Sequence, residues 1–144
     1  MRIAINGFGR IGKLVFRAFL EQNLKDIEIV AINELGSLES SHHLLQYDST
    51  HGELPIKILK TSSGLKYKNK NILFYSEREP KNLPWRKLKI DIVLECSGVF
   101  ASKEKSQAHI DAGAKKVIIS APASNVDATI VQGVNNSILN KRHT

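Results

Sequence analysis

The feature that most constrains this chain is Gly7-Phe8-Gly9-Arg10-Ile11-Gly12, a GxGxxG run set between two segments of different periodicity. Before it, Arg2 to Asn6 reads as a short apolar strand. After it, from Arg10 to about Gln22, Ile11, Leu14, Val15, Ala18 and Phe19 fall at helical spacing, which predicts a helix with that stripe facing a core. Ile27 to Ile32 reads as a second strand, mostly apolar as a parallel strand buried on both faces should be. Strand, helix and strand in this order form a βαβ unit with a right-handed crossover. Each glycine has a task there: Gly7 permits the tight turn, Gly9 lets backbone approach a pyrophosphate with no Cβ in the way, and Gly12 lets the helix pack close to the strand. The helix N-terminus offers unpaired N–H groups and a positive dipole to phosphates.

A carboxylate completes the pattern. Glu34, at the end of the second strand, follows Gly12 by about 20 residues, the spacing of the acid that holds a ribose. A carboxylate accepts hydrogen bonds from both ribose hydroxyls and repels a 2′-phosphate, so NAD is expected rather than NADP. The alternative for Glu34 alone is a plain solvated group at a strand end.

The rest of the chain divides in two. Ser37 is placed to cap a short helix carrying Leu38, Leu44 and Leu45 and ending near Tyr47. After Pro55, the β-prone runs Ile56–Leu59 and Asn71–Tyr75, separated by polar turns, predict antiparallel hairpins. Strand-and-helix alternation then resumes: a strand over Ile90–Glu95, a helix from Lys103 to about Ala112 capped by Ser102 and ended by Gly113, a strand over Lys116–Ser120, and a short strand over Ala128–Val131. The expected fold class is α/β, a Rossmann-type doubly wound, mostly parallel sheet with an antiparallel hairpin insertion. The 144 residues are expected to form one domain.

Composition narrows the function classes. Apolar residues make up 42% and charged residues 24%, enough for a packed core. No apolar run approaches the ~18 residues of a membrane helix, and Met1-Arg2-Ile3-Ala4 has no leader pattern. The single cysteine, Cys96, fits a reducing compartment, so a cytoplasmic location is expected. The net charge of +7 is uneven: Lys57 to Lys89 holds ten Lys/Arg against Glu77 and Glu79, and the remainder is nearly neutral. Such a stretch fits nucleic acid, an acidic partner, or a solvated face.

Ala4-Ile5-Asn6-Gly7-Phe8-Gly9-Arg10-Ile11-Gly12 closely resembles the opening of the phosphorylating glyceraldehyde-3-phosphate dehydrogenase family. His43-Leu44-Leu45-Gln46-Tyr47-Asp48-Ser49-Thr50-His51-Gly52, Glu77-Arg78-Glu79-Pro80, Leu83-Pro84-Trp85 and Leu94-Glu95-Cys96-Ser97-Gly98-Val99-Phe100 resemble further segments of it, in the family's order. Gly113 to Pro122 and Gly133-Val134-Asn135 extend the resemblance over essentially the whole chain. It implies an NAD-binding domain in which backbone at Arg10 and Ile11 holds the pyrophosphate and Glu34 the adenine-side ribose. It further implies that Arg78 lies against the adenine region and that Ser97 and Ser120 line the nicotinamide side. Phe100 reads equally as an adenine-pocket wall or a core residue. The family usually has Asp at the position of Glu34; erythrose-4-phosphate dehydrogenase, a close relative, often has Glu, so that enzyme stays open as an alternative. A non-catalytic dinucleotide- or nucleic-acid-binding fragment is the second alternative.

The resemblance also implies what these residues do not hold. The family's nucleophilic cysteine, in a Ser-Cys-Thr-Thr-Asn context, and its base histidine have no counterpart in the 144 residues, so no catalytic residue is assigned. Cys96 reads as structural or groove-lining, because a nucleophilic thiolate wants a positive neighbourhood and its neighbour is Glu95. His42-His43 lacks a third ligand at metal spacing, and no metal site is expected. His109 reads as a helix residue and Trp85 as a packing anchor. The aldehyde phosphate and inorganic phosphate belong only to the complete enzyme, as does the family's tetramer. Nucleic acid is then expected only as weak, salt-sensitive side binding. Two expectations follow for residues 1–144 alone: NAD binding weighted toward its adenosine half, and no turnover. Aldehyde-dependent NADH formation by the purified chain would contradict the second.

Overall fold

The computed structural model describes residues 1–144. A seven-stranded sheet forms its centre. The elements are β1 (Arg2–Asn6), α1 (Arg10–Gln22), β2 (Glu28–Asn33), α2 (Leu38–Gln46), β3 (Tyr47–Asp48), β4 (Gly52–Glu53), β5 (Leu59–Thr61), β6 (Gly64–Tyr67), β7 (Lys70–Tyr75), β8 (Ile92–Glu95), α3 (Lys103–Asp111) and β9 (Lys116–Ile119). The strand order is β5-β6-β7-β2-β1-β8-β9, and β3 with β4 forms a separate two-stranded ribbon. The five strands from β7 to β9 pair in parallel, whereas β6 pairs antiparallel with β7 and β5 antiparallel with β6. From β1 the chain winds outward through β2 and β7 and, later, the other way through β8 and β9. The reversal leaves a crevice outside the C-terminal ends of β1 and β8.

Alternation along the strands builds a core on each face. Ile5, Ile29, Ile32 and Ile72 meet Phe8, Phe16, Leu20 and Leu45 on one side. Ala4, Val30, Ala31 and Val93 meet Leu83, Trp85, Ile90 and Ala112 on the other. Ser37 caps α2 by accepting from Ser40 N–H at 3.1 Å, and Ser102 caps α3 by accepting from Lys105 N–H at 3.2 Å.

Four sequence expectations need correction. The buried stripe of α1 is Gly12, Phe16, Arg17 and Leu20, one residue round from the expected one, and Ile11 is exposed. The shift follows from Gly12, which must face the strand. The hairpin region holds an additional strand, β6, between the two that were expected. The run Ile56–Leu59 is mostly loop, with Ile58 tucked into the core. Ala128–Val131 is not a strand. The Asn135 amide takes the place of a neighbouring strand there, donating to Thr129 O at 2.9 Å and accepting from Val131 N–H at 2.7 Å. Among the lysines of the basic stretch, Lys60 lies on the edge strand β5, where charge discourages pairing with other chains, and Lys66 and Lys70 lie on the adjoining strands β6 and β7. Lys60 pairs with Glu39 and Lys70 with Glu28.

Arg17 holds the α1 side together. The residue is 4% exposed, yet its guanidinium meets no carboxylate. It donates through Nε to Leu45 O at 3.0 Å and through Nη2 to Gln46 O at 3.0 Å and Gly52 O at 2.8 Å. A cation thus closes the C-terminus of α2, where carbonyls lack intrahelical partners and the dipole is negative. Arg17→Ala takes a charged donor from three carbonyls, of which Gln46 O keeps the Leu54 N–H at 2.7 Å, and opens a cavity. It is expected to cost about 3 kcal/mol by denaturant titration; a loss under about 0.5 kcal/mol, the range of a neutral surface change, would contradict this role.

Candidate functional site

The crevice at the end of β1 is assembled from the glycine turn, the ends of β2 and β8, and the segments that follow β7 and β9. Gly7 has φ +87°, and a Cβ on it would lie 2.5 Å from Ser97 N and Cα. The turn after β1 and the turn after β8 therefore touch backbone to backbone, which only glycine permits. A Cβ on Gly12 would lie 2.2 Å from Gly7 O, so α1 seats directly on the turn. Gly9 is different: nothing lies within 4 Å of where its Cβ would be. That space opens into the crevice.

The N-terminus of α1 is left unfilled by the protein. Gly9 is the N-cap, no side chain caps it, and the first turn has no acid. The first intrahelical bond is Lys13 N–H to Gly9 O at 3.1 Å, so the amides of Arg10, Ile11 and Gly12 have no intrahelical acceptor. Glu34 faces this turn from the end of β2. Its Oε2 accepts from Phe8 N–H at 2.6 Å and its Oε1 from Gly36 N–H at 3.0 Å. Each oxygen keeps a lone pair for a further donor. Lys13 was not singled out in the sequence. Its Nζ reaches Phe8 O at 2.5 Å; burial lowers its pKa, and Glu34 nearby pushes it partly back. The only sequence hint was its place one turn after Gly9.

The structure brings most of the sequence-picked residues to this one crevice. Gly7, Gly9, Arg10, Ile11 and Gly12 form the turn after β1 and the start of α1, and Glu34 stands beside Phe8. Arg10 reaches outward to Asp48 Oδ2 at 2.9 Å. The backbone N–H groups of His51 and Thr50 hold the Asp48 carboxyl far below the usual carboxylate range. Arg78 is exposed, and its neighbour Glu77 is fixed by Asn33, whose Oδ1 accepts from Glu77 N–H and whose Nδ2 donates to Glu77 O, both at 2.8 Å. Ser97 and Ser120 are exposed past the ends of β8 and β9, and Ser120 N–H donates to Glu95 O at 2.9 Å. Phe100 is partly buried and packs edge-on against His109, ring centroids 6.0 Å apart. An apolar concavity under α3 and β9 is separate; of the nine candidate residues only Ser120 lines it.

Beneath the crevice lies a buried polar group that sequence reasoning did not find. Glu95 is 1% exposed and His109 is fully buried, and His109 Nε2 stands 2.9 Å from Glu95 Oε2. Asn6 Nδ2 donates to the same Oε2 at 2.5 Å, and Ser97 donates to Oε1 through its N–H at 2.8 Å and through its hydroxyl. Burial pushes the Glu95 carboxyl up, but the donors from His109, Ser97 and Asn6 outweigh it and hold it below its usual value. Glu95 is therefore an anion at neutral pH. Cys96 beside it goes the other way: burial raises its thiol pKa and Glu95 adds to that, against a smaller opposing hydrogen bond with Ser120. A thiol held protonated in this way is a poor nucleophile.

Residues 1–103 match the family described as glyceraldehyde 3-phosphate dehydrogenase, NAD binding domain. The glyceraldehyde-3-phosphate dehydrogenase of Thermotoga maritima is 48% identical over 143 residues, which are 99% of this chain and 43% of that protein. The enzyme of the same name from Mycoplasma pneumoniae is 51% identical over 141 residues, 97% of this chain and 41% of its own. The chromosomal form from Cupriavidus necator is 48% identical over 146 residues, 100% and 44% respectively. The chain spans less than half the length of the curated relatives it matches. No helix is long and apolar enough to cross a membrane. A parallel sheet with a glycine turn at its switch point, matched by that family over most of its length, means that the chain belongs to the glyceraldehyde 3-phosphate dehydrogenase family as one of its NAD-binding domains.

Proposed function

We propose that this chain is the cofactor-binding part of a phosphorylating dehydrogenase that oxidises glyceraldehyde 3-phosphate in the cytoplasm, with residues 1–144 forming the NAD-binding domain. The observation that carries the reading is the uncapped N-terminus of α1 opposite the Glu34 carboxylate, with open space at Gly9 between them. Three free amides suit a pyrophosphate, and an acceptor-only group suits two ribose hydroxyls. NAD, when bound, supplies the hydride acceptor.

In this reading the Arg10 and Ile11 amides hold the pyrophosphate, and Gly7, Gly9 and Gly12 shape the turn that presents them. Glu34 accepts from the adenine-side ribose, and its charge disfavours a 2′-phosphate. Arg78 lies against the adenine, held in place through Glu77. Ser97 and Ser120 line the nicotinamide side. The covalent step, a thiolate attacking the aldehyde and a thioester passing to inorganic phosphate, belongs to residues outside these 144, so the chain alone binds cofactor without turnover. The relatives' names favour glyceraldehyde 3-phosphate over erythrose 4-phosphate, although Glu34 is compatible with either. The complete protein is proposed to act as a homotetramer.

Calorimetry with NAD and NADP tests the cofactor assignment. The chain is expected to prefer NAD, and Glu34→Gln to weaken NAD by about tenfold while narrowing that preference; equal affinity of the unaltered chain for both would contradict it. The glycines are expected to separate. Gly12→Ala, driven into Gly7 O, is expected to cost about 2 kcal/mol of stability. Gly9→Val is expected to cost only about 1 kcal/mol of stability, the loss of a favourable N-cap residue, because its side chain enters open space, yet to abolish NAD binding by filling the cradle. Retained NAD affinity in Gly9→Val would contradict the placement of the pyrophosphate.

A further inference from the structure

The last register row of the parallel sheet is polar. Asn33 pairs with Asn6 across β2 and β1, and Asn6 pairs with Glu95 across β1 and β8. All three are buried, at 5%, 3% and 1% exposure. Their side chains form a hydrogen-bonded chain that continues to a backbone at one end and an indole at the other, and the direction of every bond in it is fixed. At one end Glu77 offers both an N–H and a carbonyl to Asn33, so the Asn33 amide has one orientation only. Asn33 Nδ2 then donates to Asn6 Oδ1 at 2.8 Å, which points Asn6 Nδ2 at Glu95. At the other end the Trp85 indole, which can only donate, meets His109 Nδ1 at 3.0 Å. His109 therefore carries its proton on Nε2 and donates to Glu95 as well.

Donors thus converge on Glu95 from both directions, and Ser97 supplies two more from the crevice side. We propose that Glu95 is a positioning residue for cofactor binding, the common acceptor that fixes the Cys96–Val99 loop against the glycine turn and ties it to the Glu77–Arg78 segment on the far side of the crevice. The geometry allows no substitute that donates inward. A glutamine at this position must keep its oxygen toward Asn6 and His109, because neither can reverse. Its NH2 is then turned toward Ser97, whose N–H is also a donor. The mismatch falls on the exposed loop and spares the buried side. The Ser97 hydroxyl, which also accepts from Val99 N–H at 3.1 Å, can turn to accept from the new NH2, but the Ser97 N–H is left without an acceptor, and the shift this forces on Ser97 is passed to Val99. The loop in turn touches Gly7, so its displacement reaches the turn proposed to hold the pyrophosphate.

The proposal rests on NAD being the ligand of the crevice, and Glu95→Gln tests it with readouts that separate the two. In the ligand-free variant, amide NMR is expected to show Ser97, Gly98 and Val99 displaced, while the indole resonance of Trp85, the single tryptophan, stays in place. In calorimetry, NAD affinity is expected to fall by about tenfold and AMP affinity to stay within about twofold, because AMP needs only the adenosine side. A displaced Trp85 indole, an equal loss of both ligands, or unchanged NAD affinity would overturn the proposal. If the unaltered chain binds neither ligand, the cofactor reading fails, and the ligand-free spectra still decide whether Glu95 holds the loop. Should Glu95→Gln not fold, Ser97→Ala removes one donor at an exposed position and carries the same readouts. It is expected to displace Val99, leave the Trp85 indole unmoved and weaken NAD more than AMP; unchanged Val99 and unchanged NAD affinity would overturn the proposal.

Discussion

A carboxylate at 1% exposure is held at the end of a central strand only if nearly every lone pair is met. Glu95 meets that condition with donors from Asn6, His109 and Ser97, and the arrangement of the ligand end of the sheet follows from it. Asn6 must end β1, Asn33 must end β2 to orient Asn6, and the segment after β7 must present Glu77 to Asn33. Trp85 must sit under α3 to set the His109 tautomer. A buried polar chain of this kind tolerates one register of the four strands β7, β2, β1 and β8, since a slip of one residue would turn each member to the opposite face.

The other constraint is steric. Gly7 and Gly12 bring three backbones, those of β1, α1 and the turn after β8, closer than any side chain allows. The protein thereby places the α1 N-terminus, with its unpaired amides, over the ends of the strands. Gly9 makes no such contact, and the space beside it is open. Apart from Arg78, most of the basic stretch is removed from this chemistry: Lys60 lies on the exposed edge strand β5, and Lys66 and Lys70 on β6 and β7 beside it.

Much of this was legible in the sequence because it is local. The GxGxxG turn, the helix from Arg10 to Gln22, the caps at Ser37 and Ser102 and the carboxylate at Glu34 all depend on residues within a few positions or one βαβ unit of each other. The misreadings have physical causes. The stripe on α1 was displaced because Gly12, apolar by absence rather than by side chain, takes the inward position. The strand β6 was missed because Gly64-Leu65-Lys66-Tyr67 is short and opens with a glycine, and Ala128–Val131 looked like a strand because its composition is right and its neighbour is an asparagine side chain. Glu95 and His109 were illegible as a pair. They are brought together by β8 and α3, and neither residue type at that spacing carries a pattern. Arg17 was hidden for a related reason, since its three acceptors are backbone carbonyls on other elements.

NAD is proposed to lie across the C-terminal ends of β1, β2 and β8, anchored by the glycine turn and Glu34. Amide NMR of the isotope-labelled chain during NAD titration tests it most directly. The largest shifts are predicted at Phe8 through Gly12, at Gly36 beside Glu34, and at Ser97. Shifts concentrated instead at the lysines of β5 to β7, or in the concavity under α3 and β9, would contradict it.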